Sequence, residues 1–439
     1  MIQFYSTEGR SSKVFLEEAV MTGLAKDGGL FMPDQIVRLP DRFFQEIFSL
    51  SFSEISFEII KNLLQGSLPA QDLRQIVEKA ISFDAPLKAI FPHVYALELF
   101  HGPTLSFKDF GARFMAQLMG YFVRHRDQPL HILTATSGDT GSAVAQAFLD
   151  VPGIRVWILY PKGKVSFSQE KQLTTIGHNI TALEVKGTFD ECQSLVKQAF
   201  NDLDLRQKIA LTSANSINIA RLIPQTFYYF YAYAQLKAPK HPLVFSVPCG
   251  NFGNLTAGLF AKKMGLPVSQ FIAATNINDS VPRFLKEGSF KPLPSKKTLS
   301  NAMDVGNPSN FARMLDLYQH NGKRMRQEIV GMSFSDAQTE SAIRNLLDKS
   351  GYLLDPHGAV AYLGLQAFLE QYSEPIHGIF LETADPAKFA EDVERITGQK
   401  VPIPERLKTV LSQKKRTLVI RAQYEDLKES LIDNNDVTL

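Results

Sequence analysis

Cysteine is scarce: 439 residues contain only Cys192 and Cys249. Two thiols are too few for a disulfide framework, and neither stands at metal-ligand spacing, so no metal is expected. An apolar run behind a basic start is also missing, because MIQFYSTEGRSS offers nothing that reads as a secretory signal. The longest uncharged stretch, His241 to Ala261, is broken by prolines, glycines and asparagines, which excludes a bilayer-spanning helix. Charge of one sign is not in excess either. The 47 basic and 45 acidic side chains leave +2, so composition gives no case for nucleic acid or an anionic membrane as partner. These absences point to a reduced, cytoplasmic protein acting on a small molecule.

The length exceeds what one hydrophobic core usually supports and predicts two or three packed units. Residues 1–92 read as a mainly helical N-terminal unit, with apolar residues at helical spacing in SKVFLEEAVMTGL and SEISFEIIKNLLQGSL. From Val94 the text becomes short β-rich runs, each followed by a glycine or Asx turn and an amphipathic helix. That alternation predicts an α/β core over 93–400 with parallel sheet. Within it, a smaller unit is expected at about 128–236 and a larger one at about 93–127 plus 237–400. Residues 401–439 read as a C-terminal tail with a solvated KKR face.

The chemistry-bearing motifs fall at the carboxyl ends of the predicted strands, where open α/β sheets place their ligands. PCGNFGN, residues 248 to 254, joins the strand LVFSV to a helix. Its spacing matches neither a dinucleotide fingerprint nor a P-loop, and it reads as a phosphate cradle or as a tight turn. SGDTGSA, residues 137 to 143, is either a capped turn or a second polar loop facing a ligand. In NSINIAR, Arg221 is a candidate partner for phosphate or carboxylate, with Asn215 and Asn218 near it, or else a surface arginine with two capping amides. Thr383 follows the strand HGIFL and is placed at the same edge. His357 and His377 read as structural. HGPTLSFKDFG, residues 101 to 111, holds a lone lysine, Lys108, after a Gly-Pro turn. A phosphate cradle, a lysine, an Asx loop and a threonine beyond another strand are the parts that pyridoxal 5'-phosphate needs.

With these motifs the chain resembles the threonine synthase family, pyridoxal-phosphate enzymes of fold type II. DGGLFMP, ELFHGPTLSFKDFG, LTATSGDTGSA, NSINIAR, VPCGNFGNLTAG, AATNINDSVPRF, TLSNAMDV and TADPAKF carry the resemblance, in family order from residue 27 to 389. It implies two parallel-sheet α/β units of the tryptophan synthase β-like class with an N-terminal helical unit. It also implies that Lys108 forms the Schiff base with the cofactor, and that Gly250, Asn251, Phe252, Gly253 and Asn254 hold its phosphate. Thr383 would meet the ring nitrogen, and Asp139 would lie in the loop beside the 3'-oxygen. Ser137, Asn215 and Arg221 would bind the substrate. The implied reaction converts O-phospho-L-homoserine and water to L-threonine and phosphate, in a monomer or homodimer. Where the family writes TAHPAKF this chain has Asp385 for the histidine, and with Glu382 this would bring two carboxyls near the ring. The alternatives are a phospholyase that releases 2-oxobutyrate and a non-catalytic protein that binds the cofactor or a metabolite.

Overall fold

The computed structural model describes residues 1–136, 138–372 and 374–433. The chain opens with three short strands, β1 (Gln3–Ser6), β2 (Val14–Phe15) and β3 (Phe31–Pro33), which form an antiparallel sheet in the order β2-β1-β3. Helices follow. Phe52–Leu64 starts at Ser51, whose hydroxyl accepts from the Glu54 N–H while the Glu54 carboxylate accepts from the Ser51 N–H. This reciprocal cap satisfies two donors that the first turn would otherwise leave open.

Two strands, β4 (Leu87–Phe91) and β5 (Val94–Glu98), then lead into the helix Lys108–Val123. A second group comprises β6 (Leu130–Ala135), β7 (Ile154–Pro161), β8 (Ile180–Lys186) and β9 (Ala210–Thr212). The chain returns through β10 (Leu243–Pro248), β11 (Val268–Thr275), β12 (Ile329–Ser333) and β13 (His377–Glu382), and adds β14 (Leu418–Arg421) near its end. The larger sheet runs β12-β11-β10-β13-β5-β4 and the smaller β14-β8-β7-β6-β9. Every pairing in them is parallel except β4 with β5.

In β6, β10 and β13 every residue is buried. Helices cover both faces of such strands, so their sequences are near-continuous apolar runs and show no alternation. Both sheets place the carboxyl ends of their strands toward one large cavity between them, of about 2010 Å³.

The α/β architecture with two parallel sheets is as expected, but the ends of the chain differ from their sequence reading. The N-terminal unit holds a sheet as well as helices: Val14 and Phe15 pair with Phe4 and Gln3, and the helix begins only at Leu16. A division at 92 would cut the β4–β5 hairpin, whose turn residue His93 has φ +62°. Residues 401–433 are no solvated tail, because β14 extends the smaller sheet alongside β8. Lys415 of KKR reaches inward to Glu170 and Glu184, at 2.7 and 2.9 Å.

Candidate active site

Lys108 stands on the first turn of the helix that follows β5, and its side chain is 16% exposed. The loop before it is fixed from within. Asp109 accepts from the Thr104 N–H at 2.8 Å and the Thr104 hydroxyl at 2.7 Å, and the Phe107 N–H donates to the Thr383 carbonyl at 2.9 Å. Burial pushes the Asp109 carboxyl from an ordinary 3.8 up to about 6, against the lowering effect of the Thr104 donors and of Lys388. A carboxyl that binds its proton more tightly when folded favours the native state fully below about pH 4, an advantage lost as the pH rises through about 6. The Asp109→Asn protein should therefore gain stability relative to wild type as the pH rises from 3 to 7, on the order of 3 kcal/mol in all, read as a growing difference in melting temperature. A difference in melting temperature that stays constant over that interval would contradict this.

Across the cavity, the helix Asp139–Phe148 begins just beyond β6. Its first residue, Asp139, has one carboxylate oxygen 3.7 Å from the Lys108 amine. The other oxygen accepts from Lys388 at 2.7 Å and from the Gln169 amide at 2.9 Å. Burial alone would raise this carboxyl, but the nearby Lys388 and Lys108 charges outweigh it and hold Asp139 well below the usual carboxylate range. Lys108 responds in the opposite way: burial lowers its affinity for a proton, Lys388 and Arg221 lower it further, and Asp139 works against them. The net direction is down, toward a neutral amine.

The turn after β10 supplies the third wall. Phe252 adopts φ +59°, which swings the chain into the helix Gly253–Lys263. No acceptor among the described residues takes the N–H of Gly250, Asn251, Phe252, Gly253 or Asn254. Asn254 instead braces the turn by donating to the Pro248 carbonyl at 2.8 Å, and the Asn251 carboxamide oxygen accepts from the Ser309 N–H at 3.3 Å. Open donors at a helix N-terminus are what an anionic group requires. Gly250 is confined as well: a Cβ there would stand 2.6 Å from the Ala302 carbonyl oxygen and 3.0 Å from the Met303 Cα. Gly250→Ala should thus push the turn out of shape and weaken cofactor retention by roughly 5- to 150-fold, from an overpacking cost of about 1–3 kcal/mol. Equilibrium titration of the visible cofactor band would measure it; an affinity within threefold of wild type would contradict the proposed cradle.

Arg221 lies in the short helix Ile219–Leu222, capped by the Asn218 side chain, which accepts from the Ala220 N–H. Its Nη1 donates to the Ala214 carbonyl at 2.5 Å, while its Nε is buried with no hydrogen-bond partner among the described residues. Burial brings its pKa down to about 10, against the attraction of Asp109. Asn215 lines the cavity beside it. Asn218 does not, because its amide is spent on the Val20 carbonyl at 2.8 Å.

Lys108, Asp139, Asn215, Arg221, Gly250, Asn251, Phe252, Gly253, Asn254 and Thr383 thus all border one cavity. Ser137 lies outside the described residues. The two carboxyls expected near a cofactor ring are absent from the cavity wall. Glu382 turns to accept from the Asp355 N–H at 2.8 Å, and Asp385 caps the turn Pro386–Phe389 by accepting from the Ala387 N–H at 2.9 Å. Alternation along an extended strand explains Glu382, which points away from the side that Thr383 takes. Sequence reading missed Lys388, although it belongs to the TADPAKF segment, and also Gln169 and the Ala302–Met303 backing of Gly250. Basic residues outnumber acidic ones around the cavity, nine to five. An amine tending to neutrality, an unclaimed N–H cradle and a buried guanidinium with an open donor fit an aldehyde cofactor that carries a phosphate.

Comparison with known proteins gives the same result. A family model described as pyridoxal-phosphate dependent enzyme matches residues 84–377, and models of the threonine synthase N terminus and C-terminal region match 3–81 and 358–431. The chain is 49% identical over 407 residues to a threonine synthase of Haemophilus influenzae, covering 92% of this chain and 94% of that protein. The crystal structure of threonine synthase from Escherichia coli superposes with a TM-score of 0.90 at 43% identity, over 98% of this chain and 100% of the other. A pyridoxal-phosphate-bound threonine synthase from Brucella melitensis gives a TM-score of 0.94 at 33% identity, over 100% of both chains. With its lysine, open N–H turn and buried arginine gathered around one cavity, the chain belongs to the threonine synthase family of pyridoxal-phosphate-dependent lyases.

Proposed function

We propose that the site converts O-phospho-L-homoserine and water to L-threonine and phosphate. The observation that carries this reading is the Lys108 amine, held 3.7 Å from a carboxylate that already has another cation, in a cavity whose opposite wall offers free N–H groups. Residues 250–254 would bind the cofactor phosphate through their main chain, Thr383 would meet the ring nitrogen, and Asp139 would face the ring's oxygen side. When bound, the cofactor supplies an electron sink conjugated to the substrate nitrogen.

The chain's own groups do the rest. Arg221 and Asn215 would orient the substrate's anionic groups, Ser137 with them, leaving the reacting carbons over Lys108. A proton must leave Cα and another Cβ; as phosphate departs a proton arrives at Cγ, water adds its hydroxyl to Cβ, and Cα is reprotonated. A neutral amine at Lys108 can accept and return these protons, which burial and the neighbouring cations favour. Among the described residues no helix is long and apolar enough to cross a membrane, and two buried free thiols suit a reducing cytoplasm. The partner on this reading is the small-molecule substrate, bound by a monomer or homodimer.

Incubating the cofactor-loaded protein with O-phospho-L-homoserine and measuring both products tests the reading. Threonine and phosphate should form in equal amounts. Predominance of 2-oxobutyrate and ammonia would replace the synthase by a phospholyase.

A further inference from the structure

Lys388 is buried and makes two contacts at the site: its ammonium donates to Asp139 Oδ1 at 2.7 Å and to the Thr104 carbonyl at 2.9 Å. It therefore joins three pieces of chain, namely the turn after β13, the loop that carries Lys108 and the helix that begins at Asp139. Asp139 is shared unequally. One oxygen holds Lys388 and Gln169 closely, and the other faces Lys108 at the longer distance of 3.7 Å.

We propose that Lys388 is a positioning residue that supplies the counter-charge of Asp139, and so frees Lys108 to work as a neutral amine. The inference rests on the cofactor role given to Lys108 above. A buried carboxylate stripped of every cation is costly, so it holds a proton on whichever amine is its sole partner. With Lys388 in place Asp139 stays paired when Lys108 gives up its proton. Without Lys388 the other ammonium beside Asp139 among the described residues is Lys108 itself, and losing that proton would strand the charge. The remaining charged groups act consistently. Arg221 also disfavours a charged Lys108, and Asp109, whose charge Lys388 attracts, is engaged by Thr104.

The test follows capture of pyridoxal 5'-phosphate by the full chain after the cofactor has been removed, read as the rate at which the visible band appears at each pH. Capture requires the neutral amine, so its pH midpoint reports Lys108 and does not depend on turnover. In Lys388→Gln, which keeps a hydrogen-bonding amide but removes the charge, the midpoint should rise by roughly one pH unit. Below both midpoints capture should then be about tenfold slower. Lys388→Arg should retain the wild-type midpoint, and the double variant Lys388→Gln with Asp139→Asn should return to it. An unmoved midpoint in a Lys388→Gln protein of normal melting temperature would overturn the proposal. If Lys388→Gln does not fold, Lys388→Arg decides: a midpoint shifted up by a full unit despite the retained charge would overturn it equally. Wild-type protein that captures no cofactor would instead overturn the cofactor role of Lys108.

Discussion

Replacing Lys108 with alanine should abolish the visible cofactor band and lower turnover by about 10³-fold or more, even with the cofactor added in excess. The fold should survive. Lys108 is the looser partner of Asp139, and its removal leaves that carboxylate held by Lys388 and Gln169. Alanine also suits the helical position, where the side chain contributes no cap. Two readouts therefore separate chemistry from stability: turnover collapses while the melting temperature stays near the wild-type value. Turnover within tenfold of wild type in a folded Lys108→Ala protein would mean that another group moves the protons.

The second large effect is expected at Arg221. Arg221→Met keeps the volume and removes the fork of donors, one of which, Nε, is buried with no partner among the described residues. Loss of one side of a buried charged pair costs about 2–5 kcal/mol, so kcat/KM for the phosphorylated substrate should fall by roughly 30- to 5,000-fold. The greater part should appear in KM, because this contact belongs to the bound substrate as well as to the transition state. Arg221→Lys should recover little, since a compact ammonium cannot reproduce the two-pronged geometry. Some stability will be lost in both, because the guanidinium Nη1 donates to the buried Ala214 carbonyl. A kcat/KM within threefold of wild type would remove Arg221 from the substrate site.

Much of this architecture was legible in the sequence because it is written locally. The runs LHILTA, LVFSVP and HGIFLE are buried on both faces and each ends at a polar turn, so strand, loop and ligand edge could be read from one stretch of text. The three-stranded N-terminal sheet was not legible, since strands of two to four residues are too short to display a period. Strand β14 was hidden for another reason: it sits at the edge of the smaller sheet beside charged text, and only its pairing with β8 makes it a strand. Asp139 and Lys388 lie far apart in the chain, and nothing in either motif states that they meet. Asp385 could not be placed from spacing because its role is a cap on the following turn, one hydrogen bond from the backbone of Ala387.

The most direct measurement of the central claim is to reduce the cofactor-loaded protein with borohydride, digest it, and locate the cofactor by mass. The account predicts one modified peptide, the one containing SFKDFG, with the added mass on Lys108. Modification of Lys388 or of any other lysine, with Lys108 unmodified, would contradict it.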